Sequence, residues 1–247
     1  MPQPTREGQP VPHVKFRYRA DDDWKEITSD TLFKGRTVAV FSLPGAFTPT
    51  CSSTHVPRFN ELASTFRQNG VDEVVCISVN DPFVMEAWAK SQECDNIFML
   101  PDGNASFTEQ MGMLVDKSDL NFGKRSWRYS MLVRDGTVEK MFVEPEEPGD
   151  PFKVSDADTL LRYVNKDARE PDQVALLTRE GCAFCAKAKR LLAEAGITYA
   201  EVPLPHSIRS RALGAIAKAQ TVPQLFANGE LIGGSDAVEE WVKQRRR

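Results

Sequence analysis

The 247-residue sequence has few cysteines, no long apolar run and no excess of positive charge. Its five cysteines are an odd number, and only Cys182 and Cys185 are near neighbours. That spacing does not make a secreted disulfide framework; it suits working thiols in a reducing compartment. No apolar stretch approaches the roughly 20 residues that span a bilayer. The first residues, MPQPTREGQPVPHVKF, lack the apolar core of a secretion signal, so the expected location is the cytoplasm. A net charge of -4 and a pI near 5.6 argue against nucleic acid or an anionic membrane as partner.

What is present suffices for two modest domains, with 41% hydrophobic residues to fill their cores. The stretch that organises the first is Pro44-Gly45-Ala46-Phe47-Thr48-Pro49-Thr50-Cys51. Before it, the β-prone run from Thr37 to Ser42 ends in a Pro-Gly break. After it, Val56, Phe59, Leu62, Ala63 and Phe66 recur at helical spacing. Cys51 is therefore expected in the first turn of a helix, among unpaired N–H groups and the positive end of the helix dipole. A thiol in such a place ionises more readily than a free one.

Pro44, Thr48 and Cys51 make a Pro-x-x-x-Thr-x-x-Cys motif that resembles the active-site loop of peroxiredoxins, and PGAFTPTCSSTHVP with ISVNDPFVMEAW resembles the peroxiredoxin-five type. The resemblance runs from about Val14 to about Asn165 and implies a thioredoxin-like core with insertions. It also implies that Pro44, Thr48, Cys51 and Arg128 form the active-site set, acting on peroxide. Lowering a thiol pKa from roughly 8.5 to about 6 raises the thiolate fraction at neutral pH by about thirtyfold at most. A more acidic thiol is also a weaker nucleophile, so ionisation alone does not make a fast peroxidase. The site must hold the peroxide and stabilise charge on the leaving oxygen. Thr48 offers a hydroxyl, Pro44 and Pro49 stiffen and shield the loop, and Arg128 offers the cation. His55, one turn beyond Cys51, is either a polarising base or a packed helix residue. Cys76 reads as core and Cys94, in a polar stretch, as exposed; neither is favoured as a resolving thiol.

Further along, Val14, Phe16 and Tyr18 alternate as in a half-exposed strand, and Asp21-Asp22-Asp23 reads as a turn. Strands are expected at Glu73–Val79 and Ile97–Leu100, and a hairpin across Asp135-Gly136. Helices are expected after Asn80-Asp81-Pro82, carrying Phe83, Ala87 and Trp88, around Ala105–Met111, and from Asp156 to Asn165. The fold class is α/β with two thioredoxin-like domains, a larger peroxiredoxin-type one over 1–167 and a smaller one over 168–247. The charged KDAREP stretch, residues 166–171, marks the boundary.

The second domain repeats the strand, thiol turn and helix with Cys182-Ala183-Phe184-Cys185. No second Cys pair or Cys-His pair follows at zinc spacing, so no metal is expected. The redox reading makes Cys182 the attacking thiol and Cys185 its buried partner. From about Gln173 onward the chain resembles dithiol glutaredoxins. The resemblance implies a cis bond before Pro223 in Thr221-Val222-Pro223, and a site for glutathione made of Arg179, Phe184, Thr221, Val222, Pro223, Gly234, Ser235 and Asp236. Gln220 stands where a basic residue often precedes the Thr-Val-Pro triplet. Together the resemblances imply a glutathione-dependent peroxidase with no bound cofactor, its partners being peroxide and glutathione. They also imply a homo-oligomer, dimeric through the first domain, with room for a tetramer bridged by the second. A peroxide sensor or relay, or a holdase with incidental turnover, is the alternative.

Overall fold

The computed structural model describes residues 5–20, 23–147, 149–169 and 171–245, and the chain divides into two compact units, Met1–Glu170 and Pro171–Arg247. In the first unit the elements run β1 (Lys15–Ala20), β2 (Asp23–Thr28), α1 (Ser29–Phe33), β3 (Thr37–Ser42), a π-helical turn (Cys51–His55) and α2 (Val56–Gln68). Then come β4 (Glu73–Ser78), α3 (Pro82–Ser91), β5 (Phe98–Pro101), α4 (Ser106–Gln110), β6 (Leu114–Asp116), β7 (Lys124–Ser126), β8 (Tyr129–Arg134), β9 (Thr137–Val143) and α5 (Ala157–Val164).

The central sheet has the order β5-β4-β3-β8-β9. β3, β4 and β5 are parallel, and β8 and β9 complete the sheet antiparallel. Both faces of β3 are covered, which is why its sequence is continuously apolar rather than alternating. Ala39 and Phe41 face a core shared with Cys51, α2 and α5; Val38 and Val40 face a second core with Phe16, Phe107 and Trp127. The helical stripe of α2 is buried at Val56, Phe59, Leu62, Ala63 and Phe66. Phe59 stacks on Phe41 with ring centres 4.0 Å apart, which fixes the start of this helix, and Cys51 with it, over β3. The hairpin turn has φ of 47° at Asp135 and 74° at Gly136, the two left-handed residues a two-residue turn of this kind requires.

Three strands lie where none was expected. β2 pairs with β1, and its Asp23 corrects the turn expected at Asp21-Asp22-Asp23; Asp21 and Asp22 lie outside the described residues. β6 and β7 form a separate two-stranded ribbon, too short and polar to give a periodic signal. α3 also turns a different face inward: Met85 and Trp88 are buried, whereas Phe83 is 58% exposed and Ala87 is exposed. Phe83 is covered from outside the helix, by Trp24 of β2 and the guanidinium of Arg19.

In the second unit, β10 (Val174–Thr178), α6 (Ala183–Glu194), β11 (Ala200–Pro203), α7 (Arg209–Ile216), β12 (Gln224–Ala227), β13 (Glu230–Gly233) and α8 (Ser235–Arg245) follow in order. The sheet order is β11-β10-β12-β13, with β10 and β11 parallel and the rest antiparallel. Leu176, Leu192, Leu225, Val238 and Trp241 fill one core. Lys243 and Arg245 stand in the last turn of α8, where cations complement the helix dipole; Arg246 and Arg247 lie outside the described residues, as does Glu170 of the expected boundary stretch.

Candidate active site: two thiol centres

At the first centre the chain leaves β3 and turns through Phe47, a non-glycine residue at φ 60°. A left-handed conformation of this kind costs about 1–2 kcal/mol, and hydrogen bonds on both sides of Phe47 hold it. The Thr48 hydroxyl donates to the Gly45 carbonyl at 2.8 Å, and the Ala46 N–H donates to Asn80 Oδ1 at 3.0 Å. Pro44 is half-buried; Pro49 is exposed, so it opens the helical turn rather than shielding the thiol. Cys51 itself is fully buried. It begins a π-helical turn in which its carbonyl accepts from the N–H of Val56. Pro57 accounts for the wider turn: it has no N–H for an α-type bond and its ring crowds the carbonyl four residues back.

Arg128, 1% exposed, comes from the residue before β8, and the Cys51 sulfur is among the groups that favour its charge. Its Nη2 donates to Asp150 at 2.5 Å and its Nη1 donates to His55 Nδ1 at 3.0 Å. Since a guanidinium can only donate, His55 carries its proton on Nε2, which donates to the Ser155 carbonyl at 3.1 Å. Phe152 lies against both the His55 ring and the Arg128 guanidinium. Burial disfavours the guanidinium charge, but the Asp150 hydrogen bond and the charges of Cys51 and Asp150 hold its pKa above the ordinary value. Burial, and then the Arg128 charge, push His55 down to about 3 against the pull of the Ser155 carbonyl. His55 is therefore neutral, and both of its nitrogens are engaged. Of its two sequence readings, the packed one holds: it orients Arg128 and does not act as a base on Cys51. Nε of Arg128 is buried without a protein partner, a donor left over for a small oxygen-bearing molecule beside Cys51.

Neither other cysteine of this unit is poised to react. Cys76 is fully buried in β4, and burial, with the neighbouring Cys51 and Cys94, pushes its thiol well up. Cys94 is half-buried rather than exposed, and burial, with Asp95, raises it to about 11.

At the second centre Cys182 is the N-cap of α6, its sulfur accepting the N–H of Cys185 at 3.2 Å. Burial works against the thiolate here. The Cys185 thiol, the Cys185 N–H, the Arg179 charge and the Phe184 N–H outweigh it, and the net shift is downward. Cys185, 2% exposed, is pushed up to about 11 by burial and by its hydrogen bond to Cys182. The Val222–Pro223 bond is cis, and the Val222 carbonyl lies 3.8 Å from the Cys182 sulfur.

A groove of about 760 Å³ runs beside Cys182. It brings together all eight residues expected to hold glutathione: Arg179, Phe184, Thr221, Val222, Pro223, Gly234, Ser235 and Asp236. Arg209 of α7 lines it too, as does Gln220, so the groove has a second cation although Gln220 supplies none. The Ser235 hydroxyl, at the start of α8, is buried without a protein partner. Among the described residues no group of His, Cys, Asp and Glu is arranged to hold a metal ion, and no helix is long and apolar enough to cross a membrane.

Missed by the sequence reading were Asn80, Asp150, Phe152, Ser155 and Arg209. Asn80 stood in the Asn-Asp-Pro signal, where it passed for part of a helix start. Asp150, Phe152 and Ser155 sit in a stretch without periodicity or motif, far along the chain from Cys51; Arg209 opens a helix, where nothing in the sequence ties it to Cys182.

Known proteins agree with this geometry. The Redoxin family model matches residues 6–161 and the Glutaredoxin model matches residues 174–232. The hybrid peroxiredoxin hyPrx5 of Haemophilus influenzae is 55% identical, over 96% of this chain and 98% of its own. The solved structure of reduced Prx3 from Vibrio vulnificus in complex with hydrogen peroxide is 38% identical, with a TM-score of 0.61 over 64% of this chain and 98% of that one. The 1-Cys peroxiredoxin (antioxidant protein) of Plasmodium falciparum is 34% identical, with a TM-score of 0.62 over 66% of this chain and 100% of that one. Two matched domains in this order, over almost the whole length of a hybrid relative, leave one conclusion. The chain belongs to the peroxiredoxin family, as a peroxiredoxin-type peroxidase fused to a glutaredoxin domain.

Proposed function

We propose that the chain is a glutathione-dependent thiol peroxidase for hydrogen peroxide and small alkyl hydroperoxides. The Cys51 thiolate attacks the nearer peroxide oxygen. The O–O bond breaks, Cys51 becomes a sulfenic acid, and the other oxygen leaves as water or alcohol after taking a proton. Arg128 and the loop of Pro44 and Thr48 hold the peroxide and stabilise the leaving oxygen. Glutathione then condenses with the sulfenic acid, releasing water and leaving a Cys51–glutathione disulfide. The Cys182 thiolate attacks the glutathione sulfur and frees Cys51. A second glutathione releases Cys182 and departs as glutathione disulfide. Tethering the two domains raises the effective concentration of one thiol at the other.

The observation that carries the glutathione step is the groove at Cys182, with Arg179 and Arg209 as cations and Asp236 and the start of α8 among its lining residues. Glutathione has two carboxylates and one ammonium, a pattern these groups complement. The raised thiols of Cys76 and Cys94 support an external thiol as the first reductant. The same reading takes the protein to work in the cytoplasm as a homo-oligomer, dimeric through its first domain.

The test is the intact mass of the Cys182→Ser chain after one equivalent of hydrogen peroxide and excess glutathione. One glutathione mass, mapped to Cys51, is expected. A Cys51–Cys76 or Cys51–Cys94 disulfide without glutathione overturns the cycle.

A further inference from the structure

Glu144 is a buried carboxylate that the two thiol centres do not account for. It follows β9, is 2% exposed, and among the described residues no cation pairs with it. Its main chain is tied to the active-site strand: its N–H donates to the Arg128 carbonyl at 3.1 Å, and its carbonyl accepts Nε1 of Trp127 at 2.8 Å. Its side chain is tied elsewhere. Oε2 accepts the Lys153 N–H at 2.8 Å, and Oε1 accepts the N–H groups of Val154 and Ser155 and the Ser155 hydroxyl, at 2.9, 2.8 and 2.8 Å. Three successive backbone N–H groups converge on one carboxylate and satisfy a charge that would otherwise be costly to bury.

The segment closed by this contact carries three groups that touch the Arg128 guanidinium or its histidine. Asp150 takes Nη2, Phe152 lies on the guanidinium, and the Ser155 carbonyl takes the proton of His55. Asp150 is 42% exposed, so a free segment would hold this ion pair only weakly. Glu144 pins both ends of the segment, one by covalent continuity with β9 and one by its carboxylate, which shortens the span that must be ordered.

We infer that Glu144 is a positioning residue for the peroxide reaction: it folds the segment after β9 onto Arg128 and thereby aims the guanidinium at Cys51. The inference rests on the reading of Arg128 as the peroxide-orienting cation.

The test is a double-substitution cycle in the full chain, read as the second-order rate of Cys51 oxidation by hydrogen peroxide in rapid-quench experiments. Near-ultraviolet circular dichroism and the urea midpoint of the first unit serve as the control for intact folding, and alkylation of Cys182 as the control for the second unit. Glu144→Ala is expected to slow Cys51 about ten- to a hundredfold, the scale of a small misplacement of a catalytic group. Glu144→Gln keeps one acceptor oxygen and is expected to recover part of that loss. In an Arg128→Ala background, Glu144→Ala is expected to cost less than twofold, because its effect passes through the missing guanidinium. Should Glu144→Ala not fold, the cycle is run with Glu144→Gln and with Ser155→Ala, which removes one of the four bonds. An equal loss in both backgrounds, or a rate within twofold of the parent for a folded Glu144→Ala, overturns the inference. An Arg128→Ala chain as fast as its parent overturns the reading of Arg128 itself, and this inference with it.

Discussion

Cys51 and Cys182 sit at the same point of their units, where a strand gives way to a helix, yet their surroundings are built differently. Around Cys182 the groups that favour the thiolate are local. The groups that lower its pKa are Cys185, Phe184 and Arg179, all within three residues of it. Around Cys51 the decisive groups are remote. Arg128 comes from before β8, and while His55 is near Cys51 in sequence, its other partners, Asp150 and Phe152, come from a segment a further twenty or so residues along. Cys182 can gain the groups that favour its thiolate as soon as one helix start is made, although its groove also needs the Val222–Pro223 turn and the start of α8. Cys51 requires the sheet, the helix α2 and the segment after β9 to be in place together. The difference follows the chemistry: thiol–disulfide exchange needs a thiolate and an open groove, whereas O–O cleavage also needs a fixed cation at the leaving oxygen.

The largest effect expected from this contrast is that of Arg128→Ala. Removal of a preorganised electrostatic partner at a reaction centre costs about a hundred- to a thousandfold. The rate of Cys51 oxidation by hydrogen peroxide is expected to fall by that factor while the alkylation rate of Cys182 stays unchanged. A comparable fall at Cys182 would end the distinction between a remote and a local site.

The same contrast decides what the sequence could reveal. Pro44, Thr48 and Cys51 are contiguous, and Cys182 with Cys185 likewise, so spacing alone placed both thiols at helix starts. β3, β4, α2 and the hairpin across Asp135-Gly136 were legible because both faces of the sheet are covered, giving apolar runs and helical stripes bounded by turn residues. The edges were not. β2, β6 and β7 are short and polar, and a ribbon held by its ladder rather than by a buried face leaves no period to read. In α3 the periodic residue Phe83 pointed to the wrong face, because it packs against Trp24 of β2, a strand that the sequence did not announce, and Arg19 of β1. Asp150, Phe152 and Ser155 are ordinary residues in an irregular stretch, and contact with Arg128 or His55 alone distinguishes them. Arg209 was hidden in the same way: a cation was expected beside Thr221, and it arrives from α7 instead.

A smaller effect tests the remote site through stability. His55 has an ordinary pKa of 6.5 and is held near 3 in the folded unit. The unfolded chain therefore takes up a proton as pH falls through about 6.5, and the folded chain does not until about 3. Its contribution is fully present above pH 6.5 and is lost progressively as pH drops toward 3, amounting to a few kcal/mol over the window. Urea unfolding between pH 7 and pH 4.5, followed by the fluorescence of Trp24, Trp88 and Trp127 in chains carrying Trp241→Phe, is expected to show this loss when His55 is present. In His55→Gln the slope with pH should be shallower, and an unchanged slope would mean that His55 is not the group responsible.

The smallest effect belongs to the local site and concerns Arg179. It is exposed, and it ranks behind the Cys185 thiol and N–H among the groups that favour the Cys182 thiolate. An exposed charge acting across solvent contributes about 0.2–1 kcal/mol, so Arg179→Ala is expected to slow iodoacetamide alkylation of Cys182 at pH 6 by only about two- to fivefold. The sign follows from the shift: a lowered pKa keeps the sulfur ionised to lower pH, and removal of the cation gives back part of that range. Cys185, raised to about 11, should remain unreactive across the same range in both chains. Adding salt to the parent chain should reproduce part of the loss, since the Arg179 contribution is screened while the backbone N–H groups are not. If Arg179→Ala instead costs Cys182 a hundredfold, the helix start is not what favours its thiolate, and the second site depends on a single cation as heavily as the first.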